Sequence, residues 1–241
     1  DACYARGVAV SNTPGVNDAT VAEHTIMMAL MLLKQAIYAH AKTAAGEWVQ
    51  EELLWQRGVY ELQGKHYGII GMGHVGREVA KRLAGFGTRT LYFDPVRLDS
   101  ELEKQLGITY KPLDHLLRIS DVVSLHVPLN ESTRGMLGAA QLALMKFNAI
   151  LINVARGECV DEAALAVHLK QKKLAGAGLD VFSAEPIHAD NPLLGCDNVV
   201  LTPHLAGATA EVRVRIVEMA IENVARVLRG EPPQYVLNGL P

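Results

Sequence analysis

The 241-residue sequence is poor in cysteine, in net charge and in long apolar runs. Its three cysteines, Cys3, Cys159 and Cys196, stand far apart with no Cys-x-x-Cys spacing. That excludes a disulfide-stapled secreted domain, gives no reason to expect a metal, and points to reduced thiols in the cytoplasm. Lys and Arg total 23 against 26 Asp and Glu, a formal charge of -3. With no basic stripe interleaved with aromatics, nucleic acid is not an expected partner. The longest apolar run, 26–33, has eight residues, whereas a membrane span needs about 20. It reads as a buried helix. No signal peptide opens the sequence at Asp1, and there is no internal repeat or low-complexity tract.

What is present is globular. Hydrophobic residues make up 49% and charged ones 20%, which excludes a disordered chain. The length suits one large domain, or one domain plus a fragment of another. Short β-branched runs at 8–10, 67–70, 90–93, 122–126, 150–153, 178–181 and 199–201 alternate with helical stretches at 75–86, 113–119 and 161–171. Several runs are continuously apolar, as in parallel strands covered on both faces. The expected fold is therefore α/β, a Rossmann-type doubly wound parallel sheet. Two long helices bracket it, 18–45 with Asn17 or Asp18 as N-cap, and 208–229 stopping at Gly230. The segment 46–64 carries Trp48, Trp55 and Tyr60 with weak periodicity, and is expected to pack onto its own domain or a second subunit.

Residues 67–76 read as a strand entering Gly71-x-Gly73-x-x-Gly76, followed by a helix. Gly71 permits a tight turn, Gly73 allows the backbone to approach a pyrophosphate, and Gly76 lets helix and strand pack closely. The helix N-terminus then offers N–H groups to the phosphates. A glycine triplet alone is weak. Here a second strand ends in Asp94, 18 residues beyond Gly76, where a carboxylate would accept from the adenosine ribose hydroxyls. That carboxylate would repel a 2′-phosphate, which favours NAD over NADP. Arg97, three residues on, keeps the second open.

Arg156, Glu185 and His204 each follow a predicted strand on the carboxyl edge, where ligands of such sheets bind. Their chemistry suits carbonyl reduction. An imidazolium can give the carbonyl oxygen its proton. A carboxylate orients the ring and keeps the acid form available. A guanidinium can fork onto a substrate carboxylate. Each also has a plain alternative, as a surface arginine, a loop glutamate before Pro186, or a structural histidine.

Together these residues resemble the D-isomer-specific 2-hydroxyacid dehydrogenases, the family of phosphoglycerate dehydrogenase and glyoxylate/hydroxypyruvate reductase. The resemblance covers essentially the whole chain and is carried by further blocks. They are Arg6-Gly7-Val8 with Asn12-Thr13-Pro14-Gly15, Val21-Ala22-Glu23-His24, His126-Val127-Pro128-Leu129 with Thr133, Asn153-Val154-Ala155-Arg156-Gly157, Gly178-Leu179-Asp180-Val181-Phe182 with Glu185-Pro186, and Pro203-His204-Leu205-Ala206-Gly207. It implies NAD as cofactor, a small 2-hydroxy or 2-keto acid as substrate, and a homodimer. Arg156 would bind substrate, Glu185 would pair with the histidine, and His204 would exchange the proton. Gly71, Gly73, His74, Val75 and Gly76 would meet the pyrophosphate and Asp94 the ribose. Val127 and Pro128 would cover the adenosine side. Val154 and Ala155 would lie near the nicotinamide ribose and Asp180 would face the nicotinamide carboxamide, with Thr133, Arg156, His204 and Gly207 as further cofactor contacts.

The same resemblance implies residues 1–13 as the remnant of a flavodoxin-like substrate lobe, 14–205 as the NAD-binding domain, and 206–241 as a helix returning toward that lobe. The chain is then expected to lack most of the amino-terminal lobe, and its terminal helices to expose apolar faces. Two other classes stand beside the enzyme. One is an NAD-responsive interaction protein, like the corepressors built on this fold. The other is a non-catalytic cofactor-domain scaffold dimerising through Trp48, Trp55 and the first helix.

Overall fold

The computed structural model describes residues 2–239. They form two compact units, one of residues 21–206 and one of the segments up to 20 and from 207.

The larger unit is built on strands β1 (His66–Ile70), β2 (Arg89–Phe93), β3 (Ile108–Tyr110), β4 (Val122–Leu125), β5 (Ile150–Asn153), β6 (Gly176–Leu179) and β7 (Val199–Leu201). All pair in parallel, in the order β3-β2-β1-β4-β5-β6-β7. The strand order reverses between β1 and β4, the switch point where such sheets open a ligand crevice. The helices are α1 (Asp18–Leu33), α2 (Ala36–Ala44), α3 (Gln50–Glu52), α4 (His74–Ala84), α5 (Ser100–Leu106), α6 (Leu113–Ile119), α7 (Ala139–Leu142) and α8 (Glu162–Lys170).

Strand alternation divides the core in two. Ile69, Ile150, Ile152 and Val200 pack with Ala22, Ile26, Ala29 and Leu33 of α1 and Val79 and Leu83 of α4. Ile70, Val123, Leu125, Leu151 and Leu179 point the other way, onto Leu116 and Leu117 of α6 and Leu165 and Leu169 of α8. The central strands β4, β5 and β6 are thus buried on both faces, which is why the runs there read as continuous.

The structure departs from expectation in several places. Residues 8–10 form no strand; the segment makes one isolated antiparallel bridge, Ser11 with Val236. The expected helix 18–45 breaks at Gln35, whose φ of 52° lies in the left-handed region and separates α1 from α2. Strand β6 starts two residues before 178. Its Gly176 and Gly178 have weak strand propensity, but α1 presses on them: a Cβ at Gly178 would lie 3.0 Å from Met28 Cβ. Strand β3 and helices α5 and α7 are short enough to have escaped the periodicity reading.

The smaller unit centres on α9 (Ala210–Leu228), whose N-cap Thr209 accepts from Val212 N–H. Asn223 is buried and donates to the Ser11 hydroxyl and the Gln234 carbonyl. Val214, Val217, Ile221, Val224 and Val227 lie exposed along this helix at helical spacing.

Candidate active site

The strand register puts one row of residues at the carboxyl edge. Phe93 pairs with Ile70, Ile70 with Leu125, Leu125 with Asn153, Asn153 with Leu179 and Leu179 with Leu201. Asp94, Gly71, His126, Val154, Asp180 and Thr202 each come next in sequence. The sheet alone therefore gathers segments far apart in the chain onto one edge.

The glycine loop is closed on one side and open on the other. Gly71 has φ of 95°, and its N–H donates to the Phe93 carbonyl at 2.8 Å. A Cβ there would come within 2.6 Å of the His126 carbonyl oxygen, and one at Gly76 would overlap the Gly71 carbonyl. A Cβ at Gly73 would meet nothing within 4 Å. Gly73 is the N-cap of α4 and makes no side-chain cap bond. The space over Gly73 therefore lies at the N-terminus of α4, where backbone N–H groups and positive potential suit a pyrophosphate. At the end of β2, Asp94 accepts from Met72 N–H (2.8 Å) and Val96 N–H (2.9 Å). Those bonds fix a half-buried carboxylate beside the loop with lone pairs to spare. Arg97 turns away, forking onto Glu103 at 2.9 and 3.0 Å. Its charge is spent there rather than held for a 2′-phosphate. The cradle fits NAD.

Two of the three expected catalytic side chains meet, and Arg156 reaches Glu185 through its charge rather than a bond. His204 Nδ1 lies 2.7 Å from Glu185 Oε2, and Glu185 Oε1 accepts from Phe182 N–H at 3.0 Å. Burial alone would raise the Glu185 carboxyl. The His204 hydrogen bond, the Phe182 N–H and the charges of His204 and Arg156 outweigh it and hold the group below its ordinary value. Arg156 is exposed at the lip, and its Nη1 donates to the Ala155 carbonyl at 2.6 Å. A carboxylate can only accept, so Nδ1 carries the hydrogen and Nε2 is the position left for chemistry.

Other expected residues sit close by in different settings. Asp180 is fully buried, and both its oxygens are taken by the 202–206 loop and not turned outward. Thr133 is also turned inward, bonding the Pro128 carbonyl at 2.6 Å and the Asn130 N–H at 2.9 Å, which shapes the loop bearing Val127 and Pro128. Val154 and Ala155 are buried beneath Arg156. Gly207 belongs to the smaller unit, beside Asn17.

Sequence reasoning gave no role to two residues that build the site. Asn153 Oδ1 accepts from Ala155 N–H (3.0 Å) while its Nδ2 donates to the Arg156 carbonyl (2.9 Å), clamping the arginine turn. Gly157 packs against the Phe182 and Ser183 backbone, where any Cβ would overlap. Their position next to Arg156 was a signal; the cross-loop contact was not visible.

A glycine-loop cradle on the same sheet edge as a hydrogen-bonded His–Glu pair is an arrangement a nicotinamide-dependent oxidoreductase can use. Residues 26–206 match the family described as D-isomer specific 2-hydroxyacid dehydrogenase, NAD binding domain, and the chain belongs to that family. It is 45% identical over 236 residues to a glyoxylate reductase of Korarchaeum cryptofilum, covering 97% of this chain and 70% of that protein. D-mandelate dehydrogenase of Rhodotorula graminis matches in structure with a TM-score of 0.92 and 30% identity, covering all of this chain and 72% of that one. D-lactate dehydrogenase of Lactobacillus jensenii, solved with NAD+, matches with a TM-score of 0.88 and 32% identity, covering 98% and 73%. NAD is the cofactor this domain takes.

Proposed function

We propose that the protein reduces a small 2-oxo acid of the glyoxylate or hydroxypyruvate class to the corresponding 2-hydroxy acid, the D isomer where the product is chiral, with His204 as proton donor. The observation that carries this reading is the 2.7 Å bond between His204 Nδ1 and Glu185, which leaves Nε2 as the group that exchanges a proton. NAD, when bound, supplies or accepts the hydride. Glu185 fixes the tautomer and orients the ring. Arg156, its turn set by Asn153, offers a guanidinium to the substrate carboxylate. The glyoxylate reductase relative supports the substrate class. Reducing a panel of 2-keto acids with NADH tests it: turnover favouring glyoxylate or hydroxypyruvate supports the assignment, and turnover of bulky keto acids alone contradicts it.

We also infer a homodimer formed through the 46–64 arm. Trp48 and Trp55 are 82% and 83% exposed there, an unusual expense of apolar surface for a lone subunit. The unpaired thiols Cys3, Cys159 and Cys196 suit the reducing cytoplasm. Sedimentation of the wild type against a Trp48→Ser/Trp55→Ser variant tests the dimer.

A further inference from the structure

Beneath the loop that carries His204 lies a part-buried polar cluster outside the proton-exchanging pair. His204 itself has φ of 54°, a left-handed conformation that disfavours a non-glycine residue and has to be held in place. Asp180 holds it. Its carbonyl accepts from His204 N–H at 2.8 Å, and its carboxylate accepts from Leu205 N–H and Ala206 N–H, both at 2.8 Å. Three successive backbone donors are thus gripped by one residue. The carboxylate is itself fixed from below. Thr202 Oγ1 lies 2.5 Å from Asp180 Oδ1, and His24 Nε2, arriving from α1, lies 3.0 Å from Thr202 Oγ1 and 3.6 Å from Asp180 Oδ1.

The proton count in this cluster has one solution. Asp180 only accepts, so the single Thr202 hydroxyl proton goes to it. The Thr202 oxygen can then only accept from His24, so His24 Nε2 bears a hydrogen. Burial lowers the His24 pKa against the opposing pull of the Asp180 charge, which keeps the ring a neutral donor. The neighbouring Glu23 is turned away, onto Arg82.

We propose that His24 is a positioning residue for proton transfer: its Nε2–H orients the Thr202 hydroxyl, and through it the Asp180 carboxylate that holds the His204 loop in place against Glu185. The proposal rests on the reading of His204 as proton donor. It differs from a packing role because it needs a donor at one point in space and not merely a side chain of that size.

The test compares wild type, His24→Leu and His24→Gln, the last retaining an amide donor at similar reach. Steady-state reduction of hydroxypyruvate is read beside NADH affinity by fluorescence, melting temperature, and the low-field NMR proton of His204 Nδ1–H, identified by its loss in Glu185→Gln. His24→Leu is expected to lower kcat about tenfold, the effect of one lost buried hydrogen bond, with both KM values within about twofold. His24→Gln is expected to recover to within about threefold of wild type, and the low-field proton to broaden in His24→Leu and return in His24→Gln. Unchanged kcat in His24→Leu overturns the proposal, as does an equal loss in both variants. Should His24→Leu fail to fold, His24→Gln decides: wild-type kcat with the low-field proton intact supports the role, and loss of both overturns it. If wild type itself reduces no 2-keto acid, the reading of the reaction fails; the low-field proton then decides alone, and its persistence in His24→Leu overturns the positioning role.

Discussion

Gly157 rests directly on the backbone of Phe182, with no room between them for a methyl group. Arg156 precedes the first, and Glu185 lies three residues beyond the second, its Oε1 bonded to the Phe182 N–H. This one contact therefore sets the spacing between the two loop backbones from which the guanidinium and the carboxylate extend. Neither loop could find that spacing from its own strand alone.

Gly157→Ala should displace the two loops against each other. The obstacle is backbone, which cannot rotate aside, so the overpacking cost is expected near the upper end of the usual range, about 3 kcal/mol. Thermal melting checks the stability. Kinetics should show a raised KM for the keto acid, because Arg156 moves, with NADH affinity preserved.

Asp94→Ala should weaken NADH binding at least about tenfold, by removing a charge-assisted acceptor for ribose hydroxyls. The variant also frees Met72 N–H and Val96 N–H. NADPH binding should not improve to the level of NADH, because Arg97 stays committed to Glu103. Fluorescence titration with both dinucleotides measures this.

His126 gives a pH dependence with a definite sign. Burial pushes its imidazole down to about 3, and its Nδ1 is enclosed with no hydrogen-bond partner among the described residues. An unfolded imidazole titrates near ~6.5, so between those values the unfolded chain binds a proton that the native one does not. Stability from this site is complete above ~6.5 and is lost as the pH falls, by up to about 1.4 kcal/mol per pH unit. His126→Asn should show a shallower decline over that window. Denaturant unfolding from pH 7 to 4 reads the difference; parallel curves would mean that His126 takes up its proton in the folded state.

The sheet was legible because its strands are apolar on both faces and its glycine loop has fixed spacing. The meeting of His204 with Glu185 was legible because each lies past a strand end, and parallel register brings those ends together. The missed features depend on contacts between segments. Gly176 and Gly178 look like strand breakers until α1 is seen lying on them. Asp180 reads as a residue facing the crevice, yet its carboxylate is occupied by Thr202, Leu205 and Ala206 from another strand end. The left-handed turn at Gln35 carries no glycine to announce it.

The central assignment is that His204 exchanges the proton while the glycine loop and Asp94 hold the dinucleotide. Its most direct test is His204→Ala, measured for kcat with hydroxypyruvate and for the NADH dissociation constant. A fall in kcat of about 100-fold or more with NADH binding within about threefold of wild type is the expected result. A variant that turns over at the wild-type rate, or one whose lost activity follows entirely from lost NADH binding, would contradict it.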